Sequence, residues 1–201
     1  PPHSENPLIT GFLAKRKIPF ARIGSITTGP GIAMTMDDEG SARRATEHLI
    51  ALGHSRIGFI AGPKEYDLSN WRIDGWREAM TSAGLSCDAL CVRGDFGYDS
   101  GVLAANALLD LENPPTAIIG SNDQMTLAAL DAAKTRGLHI PGDLSLISFD
   151  NTPVVRFTVP ELTAVDQPIA ATFSKAVELL ITNGDALVPH QPVVIEGSLI
   201  E

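Results

Sequence analysis

The chain has 201 residues and a formal net charge of −9, from 15 lysines and arginines against 24 aspartates and glutamates. With 44% hydrophobic and 19% charged residues it has a globular composition, enough to bury the core of one large domain or of two smaller units. An acidic chain repels polyanions such as DNA, no apolar run approaches the ~20 residues of a membrane span, and the beginning, PPHSENPL, lacks the blocks of an export signal, so a cytoplasmic protein without a membrane partner is expected.

PLITGFLAKRK (7–17) reads as helical and IPFARIG (18–24) as a strand. SARRATEHLIAL (41–52) has helical spacing, with Ala42, Ala45, Leu49 and Leu52 on one face and Gly53 as its stop. RIGFIAG (56–62) is the short continuous apolar run of a central parallel strand. NWRIDGWREAMTSAG (70–84) is a helix closing on glycine, and ALCVRGDF (89–96) is a weaker strand. YDSGVLAANALLDL (98–111) is a helix, broken off by Pro114 and Pro115. TAIIGSND (116–123) is a strand that runs straight into the helix QMTLAALDAAKTRG (124–137). After the turn signal IPGD (140–143) comes the strand LSLISFDN (144–151). PIAATFSKAVELLITNG (168–184) is a helix with Pro168 at its first position and Gly184 past its end, leading to the strand PVVIEG (192–197).

Strand and helix alternating at short intervals mark the α/β class, with a doubly wound parallel sheet. Such sheets bind ligands beyond the carboxyl ends of their strands. Four ends carry polar or aromatic groups to that rim: the loop GPKEYDLSN (62–70), Gly94-Asp95-Phe96, Asn122-Asp123 and Asp150-Asn151. Asp150 can accept two hydrogen bonds from adjacent ligand hydroxyls or ring N–H groups, or it can turn the chain at NTPV. Arg72 offers a rigid fork of donors. Read in the first turn of its helix, where the dipole prefers anions, it calls for a partner such as Asp150 or a ligand. Of Asn122 and Asp123, one can cap the following helix while the other faces the ligand, and Asn122 is favoured for the ligand. Phe96 suits stacking on a sugar or base face, and equally core filling. Gln167 either reaches the cleft or caps its helix, while Tyr66 and Asp67 lie in the loop expected to tune specificity.

No glycine-rich phosphate loop, nucleophile elbow or histidine cluster is present in the sequence, so neither enzymatic activity nor a cofactor or metal is expected. Cys87 and Cys91, in SCDALC, read as reduced thiols. His54 follows a helix C-terminus, a favourable place for an imidazolium. On the helix from 124, Met125, Ala128, Ala129, Ala132 and Ala133 form a stripe suited to lying on the sheet, whereas Leu127 and Leu130 point the opposite way. Together with Val154, Val155 and Phe157, those two leucines suggest a homodimer interface.

ATEHLIALGHSRIGFIAGP (45–63), SNDQMTLAALDAAKTRGLHIPGDLSLISFDNTP (121–153) and LTAVDQPI (162–169) strongly resemble the lactose/galactose-repressor family of bacterial transcription regulators. The likeness runs in order over essentially the whole chain. It implies a periplasmic-binding-protein-like fold of type I, in which two lobes enclose a small molecule and the chain crosses between them three times. The expected content is one complete C-terminal lobe plus part of the N-terminal lobe. Residues 1–36 would be a remnant of the N-terminal lobe and 37–165 the C-terminal, effector-binding lobe. Residues 166–195 would return a helix and strand to the N-terminal lobe, and 196–201 would form the third crossover. The resemblance further implies an effector-sensing region in which a sugar or nucleoside-like molecule touches Asp150, Arg72, Asn122, Phe96, Gln167 and Asp123. Operator DNA would be a partner only through a helix-turn-helix domain expected outside this sequence, and the family is typically dimeric through the C-terminal lobe. Two departures stand out: Gly24 lies where the family often carries a polar ligand contact, and Glu196 in IEGSLIE where it places an arginine. A periplasmic solute-binding protein of a transporter shares the fold and is the alternative, but GHSRI (53–57) and FDNTP (149–153) look like the repressor branch.

Overall fold

The apolar runs read as strands do form parallel strands, and they sort into two sheets. The computed structural model describes residues 4–182 and 191–201. The chain divides into one unit of Pro1–Asp37 with Pro168–Gly197 and another of Asp38–Gln167 with Ser198–Glu201.

In the first unit, β1 (Ala21–Ile23), β2 (Ile32–Met36) and β8 (Val193–Ile195) are parallel in the order β1-β2-β8. Helix α1 (Pro7–Lys15) starts at Asn6, whose side chain accepts a hydrogen bond from the Leu8 amide. Helix α6 (Ile169–Thr182) starts one residue later than its sequence suggests, with Pro168 just before it; Gly184 lies outside the described residues. Ala176, Leu179 and Leu180 of α6 join Ile32 and Met34 in a small core.

The second unit holds six strands in the order β4 (Cys91–Arg93), β3 (Ile57–Ala61), β5 (Ala117–Gly120), β6 (Ser145–Asp150), β7 (Thr163–Asp166) and β9 (Ser198–Ile200). Only β9 runs antiparallel to its neighbour. Alternation along β3 assigns the two faces. Phe59 meets Trp76 on α3 (Asp67–Ser82), ring centroids 5.8 Å apart, while the next residue, Ile60, packs with Leu108 of α4 (Tyr98–Leu109) and Ala129 of α5 (Asp123–Thr135). Helix α2 (Asp38–Ala51) lies against α3 at Gly75, where a Cβ would come within 2.0 Å of the Glu39 carbonyl oxygen. Only a glycine permits that approach.

Several expectations need correction. Leu52 is 63% exposed, because α2 ends at Ala51 and leaves it past the buried stripe. Leu130 and Val155 are core residues, at 5% and 0% exposure, and Leu127 is half-buried against the same core. Helix α5 meets the sheet, α4 and a 3-10 helix at Pro153–Phe157, so it buries more than one stripe. Val154 and Phe157 are exposed as expected. Helix α3 begins at Asp67 rather than at residue 70, which moves Arg72 out of the first turn and removes the argument from the helix dipole. Strands β2, β7 and β9 were not read as strands in the sequence. Cys87 and Cys91 are free, and burial raises the pKa of both thiols.

His54 is not a capping imidazolium. Its ring bridges two hydroxyls at the foot of the sheet, Thr116 Oγ1 at 2.8 Å and Ser145 Oγ at 3.1 Å, and burial lowers its pKa from 6.5. The unfolded chain therefore binds the proton more readily, so this group's contribution is complete above about pH 6.5 and declines as the pH falls below it. The denaturation midpoint of the wild type should drop more steeply from neutral pH to about pH 5 than that of His54→Gln. Parallel pH profiles for the two proteins would reject this role.

Candidate functional site

The strand LSLISFDN ends on an aromatic, a carboxylate and an amide because each has a partner at the carboxyl rim. Phe149 is fully buried and its ring lies 4.3 Å from the Arg72 guanidinium carbon. Asp150 and Asn151 both have positive φ, 94° and 53°. Among residues with side chains, Asp and Asn tolerate this region best, through local hydrogen bonds. The Asp150 carboxylate accepts a hydrogen bond from Gln167 Nε2, and Asn151 Nδ2 donates to Asp166 Oδ1 at 2.8 Å. The left-handed pair turns the chain sharply out of β6 and holds Asp150 at the edge of the sheet.

Arg72 projects from α3 and is 2% exposed. Its Nε donates to Asp38 Oδ1 at 2.7 Å, and Nη1 donates to the Ser121 carbonyl at the end of β5. Asp38 is the first residue of α2, where the helix dipole also favours a carboxylate. Arg72 thus links the start of α2 to the ends of β5 and β6. Its direct ion-pair partner is Asp38, not Asp150, which feels it only through space. Burial is the largest influence on Asp150 and raises its pKa; Asp123 and Asp38 push the same way, while Arg72 and the Gln167 amide oppose them.

Asn122 takes the role that sequence reading favoured for Asp123. Its Oδ1 caps α5 by accepting from the Met125 amide at 3.0 Å, and its Nδ2 donates to the Phe96 carbonyl at 2.9 Å. Asp123 is 4% exposed and structural: it accepts from Ser148 Oγ and from both the amide and the hydroxyl of Thr152. Those bonds brace the turn that follows Asn151. Phe96, half-buried with φ 70°, stacks edge-on with Tyr66 at 5.7 Å between centroids. Its ring sits over Gly62, where a Cβ would come within 2.2 Å of Phe96 Cζ. Asp67 is exposed on the first turn of α3. Gly24 belongs to the other unit, with φ 75° and its amide donating to the Met34 carbonyl.

Arg72, Asn122, Phe96, Asp150 and Gln167 are therefore brought to the carboxyl ends of five adjacent strands, β4-β3-β5-β6-β7. Sequence reading missed Asp38 and Asp166, which hold this rim together with Asn151. It also missed the buried hydroxyls of Ser69 and Ser121, which have no hydrogen-bond partner among the described residues. The only signal for the carboxylates was their position at an element end. The assembly offers a cation, carboxylates, amides and an aromatic edge for holding a polar ring.

Comparisons with known proteins bear on the fold. The model of the periplasmic binding protein-like domain matches residues 46–201. The chain is 41% identical over 147 residues to the HTH-type transcriptional repressor CytR of Escherichia coli strain K12, covering 73% of this chain and 43% of that protein. It is 37% identical over 171 residues to catabolite control protein A of Priestia megaterium, covering 84% and 52%. The chain spans about half the length of the curated relatives it matches. A regulatory protein of the LacI family from Chloroflexus aggregans superposes with a TM-score of 0.88 at 36% identity, over 98% of this chain and 72% of that one. The transcriptional regulator CelR in complex with cellobiose gives 0.84 at 30% identity, over 98% and 62%.

Two substitutions separate what holds this rim from what strains it. Arg72→Met leaves the buried Asp38 without its guanidinium and should cost about 3–5 kcal/mol in chemical denaturation. Asp150→Asn keeps an acceptor for Gln167 and a residue suited to positive φ. A carboxyl whose folded pKa is raised contributes stability below its unfolded pKa and loses it as the pH rises through the folded value. At neutral pH Asp150→Asn should therefore match or exceed the wild type; a loss above about 1 kcal/mol would contradict this account.

Proposed function

Since the chain belongs to the LacI family of regulators, within the periplasmic binding protein-like domain family, we propose that it is the effector-sensing region of a repressor-type transcriptional regulator. The observation that carries this reading is the convergence of Arg72, Asp150, Gln167 and Phe96 at the carboxyl rim of one parallel sheet. A small effector held there by its hydroxyls or ring N–H groups shifts a conformational equilibrium by its differential affinity for the two states. Operator DNA is contacted by a segment outside this chain, whose net charge of −9 suits no direct DNA contact. The region binds without turnover and works in the cytoplasm. Relatives named as regulators support this over a solute-binding protein of a transporter.

The charge around the site narrows the effector. Asp38 and Asp123 lie close enough to Asp150 to raise its pKa, Asp166 stands beside it on β7, and the buried Arg72 guanidinium is already paired with Asp38, while the exposed Arg93 is turned to the Gly62 carbonyl and the Asn70 side chain. A phosphate ester would meet net repulsion, so the effector is a neutral sugar or nucleoside. The cellobiose complex of CelR supports the sugar class.

Thermal-shift screening of the intact regulator against neutral sugars and nucleosides should identify a binder. Its phosphate ester should then bind at least about tenfold more weakly by calorimetry, and Asp150→Ala should weaken the neutral effector by a similar factor. Stronger binding of the ester, or an Asp150→Ala affinity equal to wild type, would refute the assignment. The regulator is a homodimer through this unit in our reading, with Phe157, 83% exposed, at the contact. Phe157→Glu should shift the species to monomer by light scattering, and a persistent dimer would exclude that surface.

A further inference from the structure

The opposite, amino-terminal end of the six-stranded sheet carries a cavity of about 320 Å³ that the effector reading does not use. It lies between the last turn of α2, the chain entering β6, the chain entering β7 and the end of β9. Leu49, Leu52, Ile140, Leu162 and the rings of Pro141 and Pro160 make its apolar walls. Its titratable groups are two carboxylates, Glu161 and Glu201, and the imidazole of His48; Ser145 and Thr163 also line it, with Ser145 Oγ already bonded to the His54 ring. Glu201 Oε1 lies 3.6 Å from His48 Nδ1. The exposed Glu161 has no hydrogen-bond or ion-pair partner among the described residues. Leu52, 63% exposed, leaves an apolar wall wet beside these charges.

We propose that this cavity is a second small-molecule site, for an organic ammonium ion on a compact apolar body. The volume falls at the lower end of the range for small-ligand pockets. The walls supply the apolar contact, and two carboxylates beside one imidazole select a cation over a neutral or anionic head group. The site is separate from the rim that holds Asp150. Strand β6 runs from Ser145, which lines the cavity, to Asp150, so the two ends lie about 16 Å apart by strand rise. The inference stands on these residues alone and does not depend on what the rim binds.

Cyclohexylammonium, cyclohexanol and cyclohexanecarboxylate share one apolar body and differ only in the head group. Titrated by NMR into the full-length protein, cyclohexylammonium should saturate in the millimolar range, as expected for so few non-hydrogen atoms. Cyclohexanol should bind at least about tenfold more weakly and the carboxylate not at all. The double substitution Glu161→Gln with Glu201→Gln changes two exposed side chains and should reduce ammonium affinity by about tenfold. Leu52→Trp, also at an exposed position, should fill the cavity and abolish binding of all three probes. The proposal is overturned if no probe saturates, if the carboxylate binds as well as the ammonium, or if neither variant changes the affinity.

Discussion

The buried guanidinium of Arg72 is the constraint on which the rim of the larger unit depends. A cation that is 2% exposed has given up nearly all of its water, and only a complete set of protein partners offsets that loss. Asp38 supplies the opposite charge, the Ser121 carbonyl a second acceptor, and the Phe149 ring a π face. These come from a helix start and from the ends of two neighbouring strands. Satisfying one side chain therefore fixes three backbone segments against each other. The strand end that carries Asp150 is held where Arg72 holds Phe149.

Around that anchor the rim divides its polar residues between bracing and presenting. Asp123 and Asn122 brace: one ties the chain after Asn151 through Ser148 and Thr152, the other caps α5 and fixes the Phe96 carbonyl. Asp150 presents, at a cost. Its backbone is left-handed and its carboxylate is partly buried near two others, so the fold raises its pKa rather than stabilising its charge. A left-handed backbone and unfavourable electrostatics falling together on Asp150 are the pattern expected where binding rather than stability decides the residue. The hydroxyls of Ser69 and Ser121, without a hydrogen-bond partner among the described residues, lie behind the same rim.

Much of the fold was legible in the chain because apolar periodicity is a local property. The runs at Ile57–Ala61, Ala117–Gly120 and Ser145–Asp150 alternate with helices whose buried stripes follow 3.6-residue spacing, and a parallel sheet needs little more. Three strands were not read from the sequence, β2, β7 and β9; the last two add to the sheet edge in turn, β7 on β6 and β9 on β7. Leu130 looked like surface because a single helix wheel assumes one buried face, whereas α5 is covered from several sides, one of them the 3-10 helix that buries Val155.

For the site, the sequence by itself determined which residue types stand at strand ends, and so that Asn122, Phe96 and Asp150 belong near one rim; the family resemblance added Arg72 and Gln167. Their division of labour was decided only by the tertiary structure. Whether Asn122 caps or faces a ligand, and whether Arg72 pairs with Asp38 or Asp150, depends on distances between segments up to 78 residues apart, from Arg72 to Asp150. Hydrogen bonds and ion pairs act over a few ångströms, and no local pattern in a chain encodes which distant groups will come within that reach.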